Sequence, residues 1–423
     1  MSHQLKAIST ALIAWALACV MHAPIAEAQT ETVLYSFCSE GVSGGCADGA
    51  YPYAGLINVG GVLYGTTYWG GAGYYYCDGG LSLACGTVFS FDPQAGVESV
   101  VYSLCSRKAR AKKCIDGEGP QSGVIEVNGT LYGTTVYGGT SASSAGTVFA
   151  VDLTTDSETV LFSFPDKRRN KQGDYPVAGL IDVNGVLYGT TPTTAFSLDP
   201  TNDVLTVLHR FPSNQHDGRS PEAGMIQIND TLFGTTEYGG KYGSGTVFSL
   251  DPTTGAEAVV YSFGRHPTDG GAPLAVPLSL NGVLYGTTEY GGKYGAGTVF
   301  SLDPTTGVET VLYSFKGYPS DGVEPVSSLV NIGATLYGTT WEGGKGKCYT
   351  SGENYIGCGT VFALDPQTGA ETLLYAFSEK HQDGNFPNAG LIDVNGTLYG
   401  TTEYGGTLDY GTVFSINPSI PRP

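Results

Sequence analysis

The chain has 423 residues, 63 of them glycine, and carries 20 Lys and Arg against 39 Asp and Glu, for a formal net charge of −19. A surface of that sign repels nucleic acid and anionic membrane as a whole, so neither is expected as a partner. The glycine content and the lack of a helical hydrophobic period argue against long helices and for an all-β fold.

Residues 1–28 run from Lys6 through the apolar stretch Ala11 to Met21 to a small-x-small site at Ala26-Glu27-Ala28, the pattern of a secretory signal peptide cleaved after Ala28. Lipidation at Cys19 is the rival reading, but Ala16-Leu17-Ala18 is a poor approach to such a cysteine. Of the nine cysteines, eight remain once the leader is gone, and an even number in an exported chain reads as disulfides. No later stretch is apolar enough for a membrane span, and no composition break divides 29–423, which is expected to be a single domain. The protein is expected to be secreted, extracellular or periplasmic, and monomeric.

From residue 31 onward the chain is a repeat. Tyr-Gly-Thr-Thr begins at Tyr64, Tyr132, Tyr188, Tyr285, Tyr337 and Tyr399, with a Phe233 version as the seventh. Gly-Thr-Val-Phe begins at Gly86, Gly146, Gly245, Gly297, Gly359 and Gly411, with Thr194-Ala195-Phe196 as its degraded counterpart. A third string resembling Glu-Thr-Val-Leu-Tyr-Ser-Phe ends at Phe37, Leu104, Phe164, Phe211, Phe263, Phe315 and Phe377. Short runs rich in Val, Leu, Tyr, Phe and Thr, punctuated by Asn-Gly and Pro-x-x-Gly, read as four antiparallel strands per unit, here named a to d. Such units are the blades of a seven-bladed β-propeller. The termini separate this from a solenoid. The chain starts with a lone d strand, Glu31 to Phe37, and ends with a, b and c over 389–417, so the N-terminal strand completes the last blade and closes the ring.

Leu-Tyr-Gly-Thr-Thr, Tyr-Gly-Gly, Gly-Thr-Val-Phe-Ser-Leu-Asp-Pro-x-Thr-Gly and Tyr-Ser-Phe together resemble the Gloeobacter/Verrucomicrobia (GloVer) tandem repeat of exported bacterial proteins, over residues 31–418. The blades are more distantly similar to Kelch and quinoprotein propellers. The resemblance implies a bacterial exported propeller and brings no established activity, so no catalytic residues carry over.

In an up-and-down blade the a-to-b and c-to-d turns lie on one face, and the b-to-c loops and d-to-a crossovers on the other. The turns are short and nearly constant, as at Asn128-Gly129 and Asp251-Pro252-Thr-Thr-Gly255, and the length variation sits on the loop face. Cysteines bracket those loops in register, giving four local pairs: Cys38 with Cys46, Cys77 with Cys85, Cys105 with Cys114, and Cys348 with Cys358.

The crossovers carry Asp-Gly-x-x-Pro at Asp48, Asp116, Asp217, Asp269, Asp321 and Asp383, with Gln172 in the remaining copy. One carboxylate per blade is sparse for Ca²⁺, and Asp before Gly is an ordinary turn former, so the structural role is favoured over a binding ring. His216, His266 and His381 lie just upstream of three of these aspartates, and only His216 and His266 belong to adjacent blades, which makes a His/Asp cluster improbable. Glu237, Glu289 and Glu403, each before Tyr-Gly-Gly, have the residue types of glycoside chemistry, but their repetition argues for scaffold. Two adjacent crossovers are basic: Arg107, Lys108, Arg110, Lys112 and Lys113, then Lys167, Arg168, Arg169 and Lys171, candidates for an anion-binding patch in an acidic protein. Blade 3 beside them runs from Thr191 through Pro192-Thr-Thr194 with no b-to-c loop.

Blades 4 and 5 differ at only four of thirty positions between Gly234 to Phe263 and Gly286 to Phe315, so localised function is expected where copies diverge, in blades 1, 2, 3 and 6. With no nucleophile elbow, zinc signature, dinucleotide loop or phosphate loop, no cofactor and no metal site are expected. The leading expectation is a non-catalytic scaffold whose loop face binds a glycan, an acidic polymer or an envelope protein. An extracellular hydrolase or lyase acting on carbohydrate is the alternative, and a structural surface role the third.

Overall fold

The computed structural model describes residues 31–418 apart from 40, 42–44, 73–76, 78–83, 108–113, 166–171, 212–216, 350–354 and 381. Every regular element among them is a strand, and among the described residues no helix is long and apolar enough to cross a membrane. The strands build seven four-stranded antiparallel sheets, each in the order a-b-c-d, and four two-stranded ribbons such as Gly384–Asn385 with Tyr404–Gly405. Blade 5 is typical: Leu278–Leu280, Val283–Thr288, Thr298–Asp303 and Val308–Ser314. In blade 7 the strand Glu31–Ser36 pairs with Thr412–Ile416, Glu31 opposite Ile416 and Ser36 opposite Thr412. The ring therefore closes as the order of elements requires.

Local chemistry sets the turns. Asn281 and Gly282 both take positive φ, 53° and 82°, the geometry of a two-residue hairpin whose twist matches the flanking strands. After the c strand, Asp303 accepts hydrogen bonds from the backbone amides of Thr305 at 2.8 Å and Thr306 at 3.3 Å, closing the turn with its own side chain.

The repeated strings are explained by what each residue meets. The second Thr of Tyr-Gly-Thr-Thr pairs its hydroxyl with the Thr that opens the c strand, as at Thr288 and Thr298, 2.8 Å apart. Even the degraded blade 3 keeps this pair, Thr191 with Thr194 at 2.9 Å. The first Thr reaches across to the next blade. Thr66, Thr134, Thr190, Thr235, Thr287, Thr339 and Thr401 each donate to a carbonyl three residues ahead of the neighbouring a strand, at 2.9 to 3.1 Å, and the Thr401 bond to Ala54 spans the closure. The glycine between is needed because a Cβ on Gly286 would stand 2.6 Å from the Phe300 ring. Those Phe rings are the inter-blade core: the residue just after one d strand packs edge-on against the Phe of the next c strand, as Phe315 does against Phe362 at 5.1 Å. The same contact recurs at 5.0 to 5.7 Å in five other seams. Such pairs contribute about 0.5–1.5 kcal/mol each beyond the area they bury.

Candidate functional site

The four disulfides are Cys38–Cys46, Cys77–Cys85, Cys105–Cys114 and Cys348–Cys358, all on the loop face. Cys85 and Cys114 bring two of them within 3.8 Å, and the group packs beside Trp69.

The crossover aspartates stand at the seams between blades. Asp321, 3% exposed, accepts from the Tyr313 hydroxyl at 2.7 Å, the Lys316 amide at 2.9 Å and the Gly322 amide at 2.7 Å. Asp48, Asp116, Asp269 and Asp383 are held in the same way by Tyr35, Tyr102, Tyr261 and Tyr375. Each tyrosine also faces a glutamate at the start of the next d strand, for example Tyr313 to Glu371 at 3.3 Å. Burial first, and the nearby aspartate second, push Glu98, Glu309 and Glu371 up to about 7, and Glu31 to about 8. Glu158 also stands at about 7, raised by burial against the pull of Arg107, which pairs with it. One oxygen of each of these glutamates is buried with no hydrogen-bond partner, as suits a carboxyl that holds its proton. The seam entering blade 3 departs at all three positions together. Phe162, Gln172 and Leu205 stand where the others carry Tyr, Asp and Glu, so loss of the hydroxyl goes with loss of both acids.

The residue after each crossover proline rings the channel mouth: Tyr53, Gln121, Val177, Glu222, Leu274, Val326 and Asn388, with Trp341 beside them, line a cavity of about 380 Å³. Towards blades 4 to 6 the surroundings are acidic. Burial, then Glu237 and Glu289, raises Glu222 to about 7, and burial, then Glu342 and Glu289, raises Glu324 to about 7. Towards blades 6, 7 and 1 they are aromatic: buried Glu403 is enclosed by Tyr53, Tyr404 and Trp341.

The larger pocket, about 580 Å³, opens between blades 6 and 7. Its walls are Trp341, Tyr349, Phe386 and Tyr404, with Lys347, Glu379, Lys380, Asn385 and Asp409 among them and Cys348 at its side. Trp341 leans on Phe386 at 5.5 Å, and Phe386 meets Tyr404 edge-on at 5.9 Å. Tyr349 and Tyr355 pair at 4.7 Å between ring centres, tilted by 37°, and remain 56% and 40% exposed. The Asn385 side-chain oxygen is buried without a hydrogen-bond partner, and the buried Trp341 indole N–H is directed to the Glu403 carboxylate.

The family model of the Gloeobacter/Verrucomicrobia repeat matches residues 20–195 and 192–352. The chain belongs to this family. No curated protein sequence matches it significantly. Among solved structures, the extracellular domain of a protein assigned as a hybrid two-component system from B. thetaiotaomicron is similar with a TM-score of 0.56 at 12% identity, over 92% of this chain and 39% of that one. This GloVer-repeat chain thus spans well under half the length of that protein. A protein assigned as a 6-phosphogluconolactonase from Bacteroides uniformis has a TM-score of 0.47 at 14% identity, over 80% of this chain and 87% of its own. At 12% identity the likeness to that extracellular domain shows the propeller fold alone.

In this family member the six aspartates of the crossovers are spread one to a seam, and none lines either cavity. Asp217 differs from the rest in meeting a histidine, His209, at 3.3 Å. His266 is exposed and caps its crossover by accepting the Asp269 amide at 3.0 Å through its carbonyl. Of the basic residues, Arg107 is drawn to Glu158, while Lys108, Arg110, Lys112, Lys113, Lys167, Arg168, Arg169 and Lys171 lie outside the described residues, as do His216 and His381. Glu237 and Glu289 fall in one acidic group, and Glu403 lies apart among aromatic rings. Sequence reasoning missed the channel collar, whose signal was available: the position after the invariant crossover proline holds six residue types in seven copies. It also missed the blade 6–7 pocket, assembled from residues 341 to 409 of two blades.

Proposed function

We propose that this protein is an exported propeller whose loop face binds carbohydrate, with the pocket between blades 6 and 7 as its principal contact. One observation carries the reading: a pocket of ligand size is walled by the aromatic side chains of Trp341, Tyr349, Phe386 and Tyr404, with the polar groups of Lys347, Glu379 and Asp409 among them. A sugar suits such walls, because each hydroxyl donates and accepts, and its apolar ring face stacks on tyrosine and tryptophan. Disulfides are consistent with an oxidising compartment, secreted or periplasmic.

The test uses the two tryptophans that follow the expected leader, Trp69 and Trp341. A glycan array selects ligands, and quenching of intrinsic fluorescence then follows binding. Trp341→Phe should abolish the quench, and Tyr349→Ala should weaken binding by about tenfold, the share of one stacking aromatic. Reducing-sugar release by the same preparation would mark a hydrolase instead, and neither binding nor release would leave a structural role.

A further inference from the structure

The seam between blades 3 and 4 breaks the repeat in a way that changes its chemistry. His209 occupies the place held by Tyr35, Tyr102, Tyr261, Tyr313 and Tyr375 elsewhere, while both acids of the seam, Asp217 and Glu257, are retained. A tyrosine hydroxyl serves this position by donating to the aspartate; a neutral imidazole brings a lone pair as well. One ligand atom from each of His209, Asp217 and Glu257 lies within 4.8 Å of the others, and all three residues are partly exposed. His209 Nε2 and Asp217 Oδ2 are 3.3 Å apart. Two ligands on a tetrahedral Zn²⁺ with bonds of 2.0–2.1 Å stand at about the same separation.

The surroundings hold two of the three groups in place. Asp217 Oδ1 accepts from the Gly218 amide at 2.7 Å, leaving Oδ2 turned to the histidine, and the imidazole packs edge-on against Phe211 at 4.8 Å. Glu257 Oε1 is buried without a hydrogen-bond partner. We propose that this seam binds one divalent transition cation of the Zn²⁺ class through His209 Nε2 and the carboxylates of Asp217 and Glu257. The two carboxylates balance its charge, and partial exposure leaves the fourth position to water. The imidazole nitrogen selects against Ca²⁺ and Mg²⁺, which take oxygen ligands. In the other seams that retain both acids, the same place is filled by a tyrosine whose hydroxyl burial holds in its protonated form, so the site is specific to this seam.

The full exported chain, stripped with a chelator under non-reducing conditions, is titrated with Zn²⁺ by calorimetry and with Co²⁺ by its visible ligand-field absorption. One equivalent should bind and raise the melting midpoint. His209→Tyr restores the arrangement of the other seams, so it should fold and melt like the metal-free protein yet lose that equivalent. Glu257→Gln should weaken binding by more than about tenfold. Ca²⁺ should leave both proteins unchanged. Zn²⁺ uptake that is equal in wild type and His209→Tyr, absence of uptake in wild type, or a preference for Ca²⁺ would overturn the proposal.

Discussion

The Tyr–Asp–Glu seams make a quantitative prediction, because the protein contains its own uncharged replacement. Asp321→Ala removes the acceptor of three hydrogen bonds, from Tyr313, Lys316 and Gly322, at a site 3% exposed. Hydrogen bonds to a charged group are worth about 1.5–3 kcal/mol each, and the two crossover amides regain part of that from water, so the expected cost is about 3–5 kcal/mol. Replacing the whole seam by Tyr313→Phe, Asp321→Gln and Glu371→Leu copies what Phe162, Gln172 and Leu205 do at the entry to blade 3. No orphaned donor or buried acid is then left, and the cost should fall to about 1–2 kcal/mol. Urea unfolding midpoints of the single and triple variants, with their slopes, measure both. A triple variant less stable than Asp321→Ala would refute the claim that the three residues act as one unit.

The same seams set the pH response. Glu31, Glu98, Glu158, Glu257, Glu309 and Glu371 are raised in the folded state to about 7 or 8 from an ordinary value of 4.5. The folded protein therefore binds more protons than the unfolded chain between those values, so stability is full below about pH 4.5 and declines as pH rises through 7 to 8. Melting midpoints should be higher at pH 5 than at pH 8, and Glu98→Gln should flatten the slope; a rise from pH 5 to pH 8 would contradict this assignment. Thr401→Val removes the hydroxyl that donates to Ala54 across the closure at 2.9 Å, at an expected cost of about 1–2 kcal/mol, and Thr235→Val should cost the same if closure is equivalent to any other seam. Deleting Glu31–Ser36 should expose the edge of Thr412–Ile416 and produce aggregation visible in size-exclusion chromatography. Replacing Cys348 and Cys358 by Ser should weaken glycan binding more than it lowers the melting midpoint, because this bridge holds the loop that carries Tyr349.

The legible part of the protein is the part written in consecutive residues. Strand positions, hairpins such as Asn281-Gly282 and the pairing of Cys348 with Cys358 depend on neighbours within about a dozen residues, and repetition in seven copies makes each pattern readable. Ring closure is legible for the same reason, since it follows from counting which strand each terminus lacks. The position of the crossover aspartates was legible as a turn, but their partners were not. Glu371 lies 58 residues from Tyr313, and nothing in either string names the other. His209 went unremarked because its string reads as an ordinary d strand; only the fold sets it against Asp217 and Glu257.

Sequence alone therefore determined the blade, its count and its closure, because hydrophobic alternation and turn chemistry act over a few residues and repeat without ambiguity. Tertiary structure decided what the blades do to one another. The seam acids, the post-proline collar and the pocket joining Trp341 and Tyr349 to Phe386 and Tyr404 exist only where two blades meet, and the physical cause is packing across a boundary that no local pattern records.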